Sequence, residues 1–149
     1  MKLTSPAFKD DSMIPDIYTC DGLDVSPPLE IEGVPGKAES LVVIVDDPDA
    51  PSGSWTHWLV WNISPATKRI EEGEIPIGAV LGMNDFGRLE YGGPAPPSGA
   101  HRYFFRLYAL DKAVGLREGA RKQDLLRSMS GHVLAEAVLM GKYRRFRAF

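Results

Sequence analysis

The 149-residue chain has one cysteine, Cys20, and three histidines. A lone cysteine excludes an internal disulfide and fits a reducing compartment, so a cytoplasmic location is expected. A zinc site built from cysteine ligands is excluded with it. Long apolar runs are also missing. The longest, Leu41 to Val45, falls far short of the ~20 residues that span a bilayer. Met1-Lys2-Leu3-Thr4-Ser5-Pro6 lacks the apolar region of a secretory signal, so a non-integral protein is expected. There is no G-x-S-x-G elbow, Walker-type loop, G-x-G-x-x-G or H-E-x-x-H motif. Neither a cofactor nor a metal is expected.

What is present is globular in character: 44% hydrophobic and 25% charged residues. The length fits a single domain over residues 1–149. A net charge of −3 argues against nucleic acid as a partner. The charge is unevenly spread. Residues 1–100 carry a balance of −10, residues 101–149 a balance of +7. The basic end holds Lys142, Arg144, Arg145 and Arg147, read as a solvated helix end suited to the C-terminal dipole or as a phosphate- or partner-binding patch.

Fifteen glycines and twelve prolines punctuate short apolar runs, the pattern of a β-rich domain with loops that carry function. Ser40 to Val45 reads as a buried strand. His57 to Ile63 is apolar on both faces and reads as a central one. Tyr103 to Leu110 reads as a strand with Arg102 and Arg106 on one side and Tyr103, Phe105 and Leu107 on the other. Leu29 to Val34 is a weaker strand. Leu125, Leu126, Met129, Val133, Leu134, Ala137 and Val138 recur at helical spacing, which predicts a C-terminal helix. Gly131 would break or kink it, and Gly141 would cap it. The fold class expected is an all-β core with peripheral helices.

Chemistry-bearing residues gather at strand ends. Asp46-Asp47-Pro48-Asp49 puts three carboxylates within four residues. At least one should face a pocket or bond backbone amides, and an Asx-turn is the alternative. His57, between Trp55 and Trp58, suits a small apolar pocket with one titratable group, or a core histidine bonded to a carbonyl. His101 and Tyr103 share one strand face after a proline- and glycine-rich loop, whose amides suit an anion or an ordinary turn. Asp47, His57 and His101 also form a weak candidate two-histidine, one-carboxylate metal set. His132 and Cys20 read as structural.

The order of several motifs resembles the phosphatidylethanolamine-binding protein family, also called Raf kinase inhibitor-like, in its short bacterial and archaeal branch. The matching stretches are Tyr18-Thr19-Cys20-Asp21-Gly22, Ser26-Pro27-Pro28-Leu29, Asp46-Asp47-Pro48-Asp49-Ala50-Pro51 and Trp55-Thr56-His57-Trp58. They continue with Gly82-Met83-Asn84-Asp85-Phe86-Gly87, residues 93–103 and Gly131 to Ala137. The resemblance implies an antiparallel Greek-key β-sandwich and a small pocket for phosphate or a phospholipid head group. By motif, it implies ligand-binding roles for Asp47, Trp55, His57, Gly93, Pro94, Pro96, Pro97, His101 and Tyr103. It implies a non-enzymatic regulator acting on a protein kinase or protease, and a homodimer. Threonine at position 56 implies a less aromatic pocket wall. The alternative is a hydrolase of a small phosphoester or ester that uses Asp47, His57 and His101.

Overall fold

β-Branched and aromatic residues dominate this chain's extended segments, and the computed structural model, which describes residues 1–145, is built mostly from strands. In chain order these are β1 (Lys2–Thr4), β2 (Ser12–Met13), β3 (Leu29–Glu32), β4 (Ser40–Asp47), β5 (Trp55–Ile63), β6 (Arg69–Ile70), β7 (Val80–Leu81) and β8 (Ala100–Leu110). Helix α1 (Lys122–Met129) and strand β9 (Val133–Arg144) follow. The strands form a three-stranded sheet, β1-β3-β6, and a six-stranded sheet, β2-β9-β8-β4-β5-β7. Neighbours run antiparallel, except that β2 pairs with β9 in parallel.

The two sheets close on one core. Leu3, Leu29, Ile31 and Ile70 from the smaller sheet are buried with Val43, Val45, Trp58, Val60, Phe105, Leu107 and Leu139 from the larger. The opposite face of β4 and β5, through Val42, Ile44, Leu59 and Trp61, is covered by Val114, Leu125 and Met129. This explains why β5 reads as apolar on both faces, although β4 and β8 are the strands flanked by long neighbours. On β8 the alternation is as read: His101, Tyr103, Phe105 and Leu107 face inward and Arg102 is exposed.

The predicted C-terminal helix is half right. It stops at Met129. Gly131 adopts φ +80°, a left-handed conformation that ends the helix. Val133 to Arg144 is then a strand, paired with β8 from Leu110↔Val133 to Ala100↔Arg144. Helical spacing was present in the sequence, but β9 pairs the edge of β8 from Ala100 to Leu110, which a helix would leave without backbone partners. His132 therefore lies in the turn, not on a helix, and its Nδ1 donates to Asp111 Oδ1 at 2.7 Å. Gly141 is no cap. It sits in mid-strand, where a Cβ would lie 2.4 Å from Ile14 Cγ1.

The basic end is likewise no helix terminus. Lys142 meets Asp11 at 3.2 Å and Arg145 meets Asp21 at 3.7 Å, while Arg147 lies outside the described residues. The acidic and basic parts of the sequence meet within the chain: Arg102 with Asp49, Arg106 and Lys122 with Asp46, and Arg121 with Asp85. Among the described residues no helix is long and apolar enough to cross a membrane.

Replacing Gly141 by alanine should lower unfolding free energy by about 1–3 kcal/mol, because the added methyl overpacks against Ile14 and Phe8. Gly115→Ala, where a methyl meets nothing within 4 Å, is the control. Urea denaturation checks both, and equal stability of the two variants would refute the crowding.

Candidate ligand pocket

Three carboxylates in a row repel one another unless each finds its own partner. The end of β4 and the turn after it supply three such groups, Asp46, Asp47 and Asp49. Asp46 faces the α1 side, where Arg106 holds it through Nε at 2.9 Å and Nη2 at 3.1 Å and Lys122 Nζ lies at 3.3 Å. Asp49 takes Arg102 bidentately, at 2.9 and 2.8 Å, and also accepts the Arg102 backbone N–H. The Arg102 guanidinium holds the Asp49 carboxyl down to about 2. Asp47, between them, points inward. Its Oδ2 accepts His101 Nδ1 at 2.6 Å and its Oδ1 accepts the Asp49 N–H at 2.8 Å. Both readings of Asp47, pocket residue and Asx-turn, therefore hold at once.

The Asp47–His101 pair is buried and forms part of the wall of a cavity of about 340 Å³. Trp55, His57 and Tyr103 join them, with Ala50, Pro51 and Ser52 from the loop after β4. Phe86, Ala95 and Pro97 complete the wall. The lining is mainly apolar, with a few converging polar groups, as in small-molecule sites generally.

A β-bulge helps to bring His57 here. Val45 pairs with Trp58 but Asp46 pairs with Thr56, so His57 is an extra residue on β5. Its Nδ1 lies 2.6 Å from the Gly92 carbonyl oxygen. Burial lowers the His57 pKa, opposed by the carbonyls of Gly92 and Gly93 and by the charges of Asp47 and Asp24. The ring stands edge-on to Phe86 and to Tyr103, each with centroids 5.2 Å away. Tyr103 in turn stacks on His101 at 6.4 Å.

Two donors in this wall have no partner. The Tyr103 hydroxyl and Trp55 Nε1 are buried, and neither finds an acceptor for its hydrogen. Burial pushes the Tyr103 phenol far above its ordinary range; the Asp47 charge adds to this and the Ala95 amide opposes it. Leaving such a group unpaired costs about 1–3 kcal/mol. Trp58 Nε1 is also unpaired, but Trp58 is not part of this cavity and packs edge-on to Tyr91.

Of the residues implied by resemblance, Asp47, Trp55, His57, Pro97, His101 and Tyr103 converge on the cavity, while Gly93, Pro94 and Pro96 do not line it. Gly93 donates its N–H to Asp24 at 2.7 Å, and a Cβ there would sit 2.3 Å from the Tyr18 carbonyl oxygen. Its role is close packing behind the pocket. The Pro94 carbonyl accepts the Cys20 N–H. No three His, Cys, Asp or Glu side chains among the described residues are placed to hold a metal ion.

Phe86 is the wall residue that spacing did not single out. Threonine at 56 does not leave the wall short of aromatic groups, because Phe86 stands edge-on to Trp55 at 5.7 Å. Its loop is shaped by Asn84, which is fully buried. Asn84 Oδ1 accepts the N–H groups of Phe86 and Arg88, both at 3.0 Å. Its Nδ2 donates to the carbonyls of Glu90, at 2.7 Å, and His57, at 3.3 Å. The run Asn84-Asp85-Phe86-Gly87 carries the turn signal that announces this loop. Gly92 makes room for the aromatic ring: a Cβ there would lie 2.6 Å from Phe86 Cδ2.

The chain is similar to known proteins over nearly its whole length. A family model described as phosphatidylethanolamine-binding protein matches residues 4–144. A UPF0098 protein of Methanothermobacter thermautotrophicus is 57% identical over 97% of this chain and 99% of its own length. A UPF0098 protein of Pyrococcus abyssi is 48% identical over 97% of this chain and 86% of its own. The crystal structure of a phosphatidylethanolamine-binding protein homologue from Chlamydia trachomatis superposes with a TM-score of 0.93 at 45% identity, covering 97% of both chains. Escherichia coli YbcL, described as a new member of the mammalian PEBP family, gives 0.91 at 29% identity, covering 97% of this chain and 98% of that one.

Asn84→Ala should cost about 2 kcal/mol in urea unfolding, because two amides and two carbonyls of the turn around this buried side chain lose their partner. A loss under about 0.5 kcal/mol would show that water replaces the side chain. Asp49 sets an acid-dependent component. Its folded pKa lies below the unfolded value of about 3.9, so its contribution is present above that pH and is lost as pH falls toward about 2. Asp49→Asn should flatten the stability–pH curve in that window, as followed by thermal unfolding, and an unchanged slope would count against the Arg102 contact.

Proposed function

The chain belongs to the phosphatidylethanolamine-binding protein family, and from that premise we propose that its pocket binds a small oxyanion, a free phosphate or a phosphate-bearing head group. The observation that carries this reading is the pair of unpartnered buried donors, Tyr103 Oη and Trp55 Nε1, in the wall beside the Asp47–His101 pair. A tetrahedral anion brings several acceptors to one point. Each bond it accepts there offsets a cost that the empty pocket bears. Asp47 fixes the His101 ring through Nδ1 and leaves Nε2 as the remaining nitrogen, a third donor when the ring is cationic. The Asp47 carboxylate itself repels an anion. With both its oxygens already accepting, its task is to orient the ring.

The protein in this reading is a binding and regulatory protein, not an enzyme. A phosphorylated side chain offers the same acceptors as a head group, and through that contact the protein would act on a kinase or a protease. The half-buried, unbridged Cys20 suits action in the cytoplasm.

One observation favours hydrolysis of a phosphoester or ester instead. Asp47 and His101 are paired as an orienting carboxylate and a base, and Ser52 lines the same cavity. Turnover of an ester and phosphoester panel that disappears in Ser52→Ala and His101→Ala would establish that reading, and a flat panel would end it.

Calorimetry near pH 6 with phosphate, phosphoserine and phosphoethanolamine tests the binding reading. His101→Ala should weaken binding at least about 10-fold, the loss of one charge-assisted bond, and Tyr103→Phe by about 3- to 10-fold. Absence of binding to the wild-type protein would sink the proposal.

A further inference from the structure

Three kinds of unanswered group meet on a surface that shares no wall residue with the ligand pocket. The first is charge. A cavity of about 200 Å³ lies between residues 24–26 and the loop at Gly73 and Ile75, with Trp58, Glu90 and Tyr91 in its wall. Glu72 and Glu74 flank Gly73 in the chain, and Glu72 accepts the Tyr18 hydroxyl at 2.6 Å. Arg69 is taken up by Glu30 and Glu71, and Arg88 by Glu90. That leaves Asp24, Glu72 and Glu74 without a cation among the described residues. The second is a donor. Trp58 is 2% exposed, and its indole N–H finds no acceptor. The third is apolar surface. Ile77 is fully exposed, Leu23 is 73% exposed and Ile75 44%. Leu23 adjoins Asp24 in the chain, and Ile75 lines both this cavity and a hollow of about 500 Å³ formed with Val80, Leu81 and Leu116. Arg117 stands with Glu118 in the wall of that hollow, so the excess negative charge lies at the Asp24 end.

Apolar side chains that stand together and are rimmed by polar ones mark an interaction site. The rim decides the partner. Uncompensated carboxylates repel nucleic acid and an anionic lipid surface. A small inorganic cation would answer the carboxylates and nothing else. A polypeptide with basic and aliphatic side chains answers all three groups, because its backbone also brings carbonyls to the Trp58 N–H. We infer that this surface docks an extended basic segment of a partner protein. A lysine or arginine side chain enters the cavity beside Asp24, and its aliphatic neighbours seat on Ile75 and Ile77. The apolar stem of such a side chain lies along Trp58 and Tyr91 while its charged head meets the carboxylate. The inference is independent of what the ligand pocket binds.

The test is calorimetric titration of the full chain with three capped peptides: acetyl-Lys-Lys-Leu-Leu-Lys-Lys-amide, its glutamate counterpart with the same leucines, and its serine counterpart with the same lysines. In extended form the first shows lysine and leucine on either face. It should bind the wild-type protein at least about 10-fold more tightly than the glutamate peptide and about 5-fold more tightly than the serine one. Asp24→Asn keeps an acceptor for the Gly93 N–H, which Asp24 Oδ1 holds at 2.7 Å, and removes the charge. Combined with Glu74→Gln, it should weaken the lysine–leucine peptide about 10-fold. Ile77→Ser, at a position that packs against nothing in the free protein, should weaken it about 5-fold. Glu136→Gln removes an exposed charge on β9, across the larger sheet, and should leave affinity within about 2-fold. Equal binding of the lysine and glutamate peptides, a loss in Glu136→Gln as large as in the double variant, or no binding of the lysine–leucine peptide up to about 1 mM would overturn the inference. Self-association in analytical ultracentrifugation that Ile77→Ser abolishes would overturn it too, by assigning the surface to a second copy of the chain.

Discussion

Four consecutive residues, Asp46-Asp47-Pro48-Asp49, put three negative charges at the end of β4, and the structure around them follows from the need to neutralise each separately. The strand pleat sends Asp46 and Asp47 to opposite faces, and the turn carries Asp49 to the rim. All three then draw on β8: Asp46 on Arg106, Asp47 on His101 and Asp49 on Arg102. The antiparallel register of β4 against β8, with Asp46 opposite Phe104, brings those partners within reach. The pocket is one product of this arrangement. The buried carboxylate cannot stand without a partner, and the imidazole that answers it becomes a fixed side chain in the wall.

The remainder of the wall depends on precise absences of side chain. Gly92 gives Phe86 its place and offers its carbonyl to His57. Gly93 lets the backbone pass against Tyr18 and Asp24. Aromatic rings then hold one another edge-on, from Trp55 through Phe86 and His57 to Tyr103, an arrangement that rings favour over face-to-face contact. The result is a recess whose shape is set by packing and whose polarity is set by a few side chains, Asp47, His57, His101 and Tyr103 among them.

Much of this was legible from the residues. β4, β5 and β8 were visible as β-branched and aromatic runs, and Asp47, His57 and His101 stood out as polar groups at strand ends. What was hidden depended on long-range pairing. Leu134, Ala137 and Val138 fit a helix by spacing, and nothing local says that β8 will supply a partner along the whole of β9. The short strands β2, β6 and β7 are two residues each and carry no period to read. Phe86 sits far along the chain from Trp55 and reaches the pocket only through the turn that Asn84 organises. The glycines mislead in a similar way: Gly93 and Gly141 are close-packing positions, and in sequence they look like turn or cap residues.

The ion pairs that cross from one part of the sequence to the other also bear on how the chain comes off the ribosome. The first hundred residues emerge with a balance of −10, and the cations that neutralise Asp11, Asp21, Asp46 and Asp49 all lie after them. β4 has β5 beside it early, yet its other edge stays open until β8 is made, and β8 waits for β9. Pairings this distant close late and slowly. The nascent acidic segment is thus held apart by its own charge, which keeps exposed strand edges from pairing with other chains during synthesis. The carboxylates at the end of β4 thus wait for their partners until the last third of the polypeptide arrives.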